Sequence, residues 1–362
     1  MATTLENTRK YLAESATAGA TSAGNVATLN RVILPVIRRV MPTVIANELV
    51  GVQPMTGPVG QIHTLRVRYS DTFNGTTGGA TTAGEEALSP FKIAEGYSGA
   101  VTGKPAATAA LEGVAGNKLS IQILKQTVEA KTRKLSARWT FEAAQDAQAQ
   151  QGIDIEAEIM AALAQEITAE IDQEVLRSLA GLSSTVLTYD QAAVSGTATF
   201  VGDEHAALAV QINRAANLIA QRTRRGAGNW AVVSPTTLTL LQSATTSAFA
   251  RTTEGTFEAP TNTKFVGTLN SAMKVYVNTY AENDNVLIGY KGGSESDAAA
   301  FYCPYIPLMS SGVVLDPATF EPVVSFMTRY GYVELTNTAS SLGNAGDYLA
   351  TVAVTSANLR FA

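Results

Sequence analysis

The sequence predicts an α+β protein in which one long helix serves as a spine for separate modules of strand and helix. Three observations predict it. Apolar residues at Ile155, Ile159, Leu163, Ile167, Ile171, Val175 and Leu179 recur at spacing four, which only an α-helix lines up along one ridge. Alternating, strand-like stretches precede that ridge at 62–69 and 118–141. After it, short strand-like runs recur among helices as far as residue 333.

The helix is expected over 154–180. Asp154 suits its N-cap, Glu156 and Glu158 its positive end, Arg177 its negative end, and Gly181 a left-handed C′ position. At ~1.5 Å per residue it would span roughly 40 Å. Four residues turn ~400°, so the ridge winds around the rod and needs different partners at its two ends. The same stretch also fits one long helix of an ordinary α/β enzyme.

In chain order, residues 1–28 are rich in Ala, Thr, Ser and Gly and bury too little to order alone. They form either a disordered tail or an arm that orders against a neighbour. Leu29 to Val50 is apolar around Arg38 and Arg39 and broken by Pro35 and Pro42, giving short helical pieces. Gly51 to Gln61 is a turn cluster. Ile62 to Tyr69 alternates as a strand, with Leu65 and Val67 interleaved by Arg66 and Arg68. Ser70 to Asn117 has almost no periodicity, and a loop that long points to a disordered insertion or a functional excursion. The strand-like runs on either side favour an extended, hairpin-like projection. Lys118 to Phe141 reads as two half-buried strands around a turn near Glu129 to Thr132.

Those strands carry Lys125, Lys131, Arg133, Lys134 and Arg138 on their outward positions. The spine carries Glu158, Glu166, Glu170, Asp172 and Glu174 on its polar face. These opposite charges are expected to meet within a subunit or between neighbours, where exposed pairs contribute ~0–1 kcal/mol each and chiefly orient. Beyond the spine come a helix over 203–221, a buried strand over 230–233 and a helix from Thr236 begun by Ser234-Pro235. Strand-like runs follow at 264–269, 274–277, 286–290, 298–302, 312–315 and 323–333.

Composition narrows the function. Charged residues make up 16% of the 362, against ~25% in ordinary soluble proteins. A surface so poor in charge suits extensive subunit contact, because charges are depleted at interface cores. A net charge of −5 without a basic cluster disfavours sequence-independent nucleic-acid binding, although a container need not bind what it holds. Cys303 is the single cysteine, so neither an intrachain disulfide nor a thiolate metal cluster can form. No run approaches the ~18 to 20 apolar residues of a membrane span, and the first residues lack the apolar core of a signal peptide. The product is expected to stay in a cytoplasm unless it leaves inside something larger.

Catalytic chemistry has no residues to name. The two imidazoles, His63 and His205, fall in an alternating strand and a first helical turn, both structural placements. HExxH, CxxC and GxSxG are absent. Gly99 to Pro105 is one residue short of a phosphate loop and ends in proline where Mg²⁺ binding needs Ser or Thr. Gly226-Ala227-Gly228 precedes a strand, the reverse of a dinucleotide turn. Cys303 before Pro304 reads as a small buried hydrophobe. No catalytic, metal or cofactor site is expected.

Several strings together resemble the major capsid proteins of contractile-tailed, myovirus-type bacteriophages, which have the Hong Kong 97 capsid fold. They are Ile37 to Ile62, Glu129 to Ile159, Gln165 to Leu176, Ile212 to Trp230, Lys274 to Gly293 and Tyr302 to Gly331. Their colinearity makes the likeness specific. It implies an N-terminal arm over 1–61, an extended loop over 62–117 reaching over a neighbour, and a peripheral domain over 118–205 with the spine. It also implies an axial domain over 206–302 and return strands to the peripheral domain over 303–362.

The implied function is self-assembly, as hexamers and pentamers, into an icosahedral head shell enclosing phage double-stranded DNA without sequence-specific binding. The shell would be assembled in the host cytoplasm, with scaffold, portal and decoration proteins as partners and no membrane. Family members are trimmed after a glutamate in a Leu-x-Glu or Ile-x-Glu context, which Leu12-Ala13-Glu14 matches, implying cleavage after Glu14. Larger members insert a domain in the extended loop, for which Ser70 to Asn117 has no room. A nanocompartment shell on the same fold is the alternative, and a monomeric α/β enzyme with a lid over 70–117 a distant third.

Overall fold

A computed structural model of the chain describes residues 45–76, 79–87, 93–190, 201–243, 249–251, 265–270, 272–335 and 344–355, together with Glu6. The expected arm before residue 45, with the Leu12-Ala13-Glu14 string, lies outside the described residues. In chain order the elements are α1 (Ala46–Leu49), β1 (Gly51–Val52), β2 (Val59–Tyr69), α2 (Thr108–Leu111), β3 (Leu119–Glu129), β4 (Lys131–Arg138), α3 (Phe141–Gln151), α4 (Ile155–Leu182) and β5 (Ser184–Tyr189). Then follow α5 (Val201–Thr223), β6 (Trp230–Val233), α6 (Pro235–Ser243), β7 (Phe249–Arg251), β8 (Phe265–Leu269), β9 (Met273–Val277) and β10 (Val286–Gly289). The last are β11 (Ala300–Ser310), β12 (Val314–Leu315), β13 (Pro322–Glu334), a 3₁₀ turn (Ala345–Tyr348) and β14 (Leu349–Val354).

The chain divides into two compact units. Among the described residues, the larger takes in those within 41–135, 163–311 and 325–362, and the smaller takes in Ser136–Ala162 and Gly312–Val324.

The larger unit is built on a seven-stranded mixed sheet of order β5-β14-β10-β6-β9-β8-β7. Because side chains alternate across a strand, β6 sends Ala231 and Val233 to one face and Trp230 and Val232 to the other. All four are buried, so the sheet has a core on each side. On one face α5 lays Leu208, Ile212 and Ile219 against Val275, Ile288 and Val352. The opposite face is covered by Val175, Leu176 and Leu179 of α4 and by Ile45 and Leu49 flanking and within α1. Two glycines permit this closeness. A Cβ on Gly289 would stand 2.1 Å from the Trp230 ring, and one on Gly228 2.8 Å from Ile288. The Gly226-Ala227-Gly228 string therefore serves packing. Ser234 caps α6 by accepting the N–H of Thr237 at 3.2 Å.

The strands over 184–189 and 349–354 hydrogen-bond into this seven-stranded sheet. They fall within the expected peripheral segment, 118–205, and return segment, 303–362. A second sheet runs β1-β11-β13-β12, with β4 pairing β13. The strands expected around Glu129 to Thr132 form, but they do not pair with each other. At Ala130 the chain turns from β3, which pairs β2, to β4, which pairs β13. The turn cluster at 51–61 contains β1 and the start of β2.

The spine helix matches its pattern apart from its end. Asp154 Oδ1 accepts the N–H of Glu156 at 3.0 Å, and Leu163, Ile167, Val175, Leu176 and Leu179 are buried. The helix runs through Gly181, which is not left-handed, to Leu182. Ser183 N–H still reaches the Leu179 carbonyl, and β5 begins at the next residue, leaving no reversal for a glycine to make. His205 lies beyond the first turn of α5, because that helix starts at Val201.

In the smaller unit, Thr140 caps α3 and Gly152 closes it at φ 66°. The Phe141 and Phe320 rings lie 5.8 Å apart, and Arg138 reaches Glu321 at 3.7 Å. Phe320 holds a left-handed φ of 58° at the tip between β12 and β13.

Candidate functional site

The feature that sets this molecule apart is the ribbon formed by β2 and β3. Eleven pairs run in unbroken antiparallel register from Val59↔Glu129 to Tyr69↔Leu119, and its faces are inverted relative to an ordinary half-buried strand. Leu65 stands opposite Ile123 and Val67 opposite Ile121; Leu65 is exposed by 65%, Ile121 by 68% and Ile123 by 66%, while Val67 is half-buried against the core of the excursion. The arginine face turns inward. Arg66 is 7% exposed and pairs with Glu86 at 3.0 Å, Gln126 donates to the Glu334 carbonyl at 2.6 Å, and Val128 is buried. The alternation was legible in the sequence, but the half-buried reading of β3 was wrong for its apolar side. Covering one such side chain is worth roughly 1.5–3 kcal/mol, and a two-stranded ribbon is marginal alone.

The excursion that the ribbon carries is less formless than its composition suggests. Tyr69, Phe73, Ala87, Ala94 and Tyr97 form a small core of their own, with the Tyr69 and Tyr97 rings 4.6 Å apart. The Tyr97 hydroxyl donates to the Lys118 carbonyl at 2.6 Å, tying the excursion to its root. Sequence reasoning missed this cluster because its five members follow no period.

The charged residues singled out on the strands and the spine separate into distinct roles. Arg133 is a clamp within the chain: Nη1 reaches Glu170 at 2.6 Å, Nη2 reaches Glu174 at 2.5 Å, and Nε donates to the Tyr330 hydroxyl at 2.7 Å. Tyr330 in turn donates to Glu174 at 2.5 Å. Burial works against the charge on Arg133, but the bonds to Glu174 and Tyr330 together outweigh it and raise its pKa. Glu174 is likewise opposed by burial, yet the bonds from Tyr330 and Arg133 hold its carboxyl below its ordinary value. The Tyr330 phenol is pushed up to about 12, first by burial and then by its bond to Glu174. Lys125, Lys131, Lys134, Glu166 and Glu170 are exposed, and Glu158 is half-buried.

Asp172 is a correction. It is 1% exposed, not part of the polar face, and its Oδ1 accepts the N–H groups of Ile45 at 2.9 Å and Ala46 at 2.7 Å. Its sequence setting matches that of Glu170 and Glu174; only a partner 126 residues away distinguishes it.

A crevice of about 710 Å³ beside the ribbon is lined by His63, Arg66, Glu86 and Cys303, among others. It lacks an activated nucleophile: burial pushes the Cys303 thiol up, and Arg66 and Glu86 neutralise each other. His205 is buried with Nδ1 against the Ser243 hydroxyl. Among the described residues no group of three or more His, Cys, Asp or Glu could hold a metal ion, and no helix is long and apolar enough to cross a membrane.

A spine helix under a mixed sheet, with an exposed ribbon projecting, defines a tailed-phage capsid fold of the Hong Kong 97 type. The capsid of Myoviridae phage XM1 aligns with a TM-score of 0.53 at 11% identity, over 93% of this chain and 99% of that one. The capsid of cyanophage P-SCSP1u gives the same score and identity over 93% and 95%. The sequence itself matches the major capsid protein Gp23 family over residues 26–356. It is 30% identical to the major capsid protein of Vibrio phage KVP40, over 91% of this chain and 82% of that one. The same identity holds with that of Enterobacteria phage T4, over 89% and 78%. The chain belongs to the Gp23 family of major capsid proteins, structural proteins that form the head shell of tailed phages by homo-oligomeric assembly.

Proposed function

We propose that the chain builds an icosahedral head around double-stranded DNA by burying in neighbouring copies the apolar face that its own fold leaves bare. The observation that carries this reading is the inverted ribbon, with Leu65, Ile121 and Ile123 outward. On this reading 62–117 is the extended loop, the modules around the spine are the peripheral domain, and the helices and strands over 206–302 are the axial domain that gathers hexamers and pentamers. Exposed Lys125, Lys131, Lys134 and Arg138 would meet Glu158, Glu166 and Glu170 across subunits, setting register more than strength. Each contact is modest, but closed symmetry makes every copy hold several neighbours.

An acidic chain lets packaged DNA slide without sticking. Scaffold, portal and decoration proteins and assembly in a host cytoplasm belong to the same proposal, as does trimming after Glu14. The test is size-exclusion chromatography with light scattering on the purified chain, followed by negative-stain microscopy. Closed icosahedral particles are expected; a persistent monomer contradicts the reading.

A further inference from the structure

A two-stranded ribbon has two edges, and that of β2 is open from Val59 to Leu65. Nearer the excursion the same edge is occupied: Ala87 N–H donates to the Val67 carbonyl at 2.8 Å, and Tyr69 N–H donates to the Glu85 carbonyl at 2.9 Å. Successive residues of a strand direct their backbone groups to opposite sides, and the register of β2 on β3 is unbroken. Val59, Gln61, His63 and Leu65 therefore aim their N–H and C=O groups along the edge that Val67 and Tyr69 use. Among the described residues none of the four is hydrogen-bonded on that side.

An open edge is a template for one more strand, and this one runs along the crevice of about 710 Å³. Met55, Phe301, Cys303 and Leu335 give the crevice an apolar lining. At the Leu65 end stands Arg66, 7% exposed, with Nη1 on Glu86 and Nε buried without a partner. A buried N–H left unpaired is costly, and a carboxylate is the acceptor that suits a guanidinium best. We infer that β2 is the docking edge for a guest strand: an extended segment of a separate protein, apolar at alternate positions and acidic where it passes Arg66. A second copy fits less well. The other ribbon edge it would offer, β3, brings the exposed Lys125 toward a crevice already lined by Arg66 and Arg225, and like charges oppose such pairing. The existence of an accessory protein rests on the shell reading above; the edge and its chemistry belong to the single chain.

The test uses two fluorescently labelled peptides of about seven residues, long enough at ~3.3 Å per residue to follow the open edge. Both alternate valine and threonine; one carries a glutamate at its first position and the other at its last, so each strand direction is covered. Anisotropy on the full, unassembled chain should show saturable binding of one of them, and exchanging its glutamate for glutamine should weaken binding several-fold. Bound peptide should slow amide hydrogen exchange at Gln61, His63 and Leu65 at least tenfold. Gln61→Pro removes one outward N–H, a change an edge strand tolerates. It should weaken binding at least tenfold while the Thr64 and Arg66 amides, which face β3, stay protected; should it open the ribbon, the wild-type exchange pattern decides alone. Binding of neither peptide, slowing at Ile121 and Ile123 in place of the β2 edge, or equal affinity for the glutamine peptide overturns the inference. Slowing of the β2 amides with rising chain concentration and no peptide would assign the edge to a second copy and overturn it as well. Because the peptide is read on the unassembled chain, a chain that binds it yet forms no particles contradicts the shell reading alone.

Discussion

The seven-stranded sheet and the β2–β3 ribbon belong to one chain and solve the hydrophobic problem in opposite ways. The sheet hides its residues on both faces: Ile288 and Leu349 are completely buried, and helices cover each side. The ribbon turns Arg66 inward and Leu65, Ile121 and Ile123 outward. The first arrangement makes a subunit stable. The second leaves apolar surface bare, which on the proposed reading is where a neighbouring copy gains free energy by binding.

The sharpest way to break this contrast is to replace Leu65, Ile121 and Ile123 together with threonine, which keeps strand propensity. Particle formation should be abolished, while the unfolding free energy of the isolated chain changes by no more than about 0.5 kcal/mol per site, as for surface substitutions generally. Deleting residues 1–28 should also abolish or mis-size assembly without unfolding the sheet, as measured by light scattering and circular dichroism. The reverse pattern belongs to the core. Leu349→Ala should cost about 2–5 kcal/mol in denaturant unfolding before any effect on contacts between copies.

A smaller effect is expected at the Arg133 clamp. Glu174 has a folded pKa below its ordinary value of 4.5, so its contribution to stability is complete above that value and is lost as the pH falls through the depressed one. Urea titrations from pH 6 to pH 3 should show this acid loss, and Glu174→Gln should flatten it. Smallest of all, Arg177→Ala removes an ion pair with Glu282 in which both side chains are 77% exposed. It should change stability by less than about 0.5 kcal/mol.

What the sequence made legible follows from range. The spine declared itself because its period is local and its Asp154 cap lies at its own start. The strand over 230–233 was equally plain, being four apolar residues between Gly228-Asn229 and a serine-proline stop. Alternation revealed two faces on the ribbon but not which one is wet, since that depends on Glu86, Glu334 and the sheet beneath. Asp172 was indistinguishable from its acidic neighbours until Ile45 and Ala46 were seen against it. The Tyr69, Phe73 and Tyr97 cluster has no period to find. Gly181 showed that a residue suited to ending a helix does so only where the chain must reverse.

Hydroxyl-radical footprinting, read by mass spectrometry on the free chain and on purified particles, tests the central idea most directly. Leu65, Ile121 and Ile123 should label readily in the free chain and become protected at least several-fold in particles, while Ile288 and Leu349 stay protected in both. Equal labelling of the ribbon in the two states, or protection already present in the free chain, would contradict it.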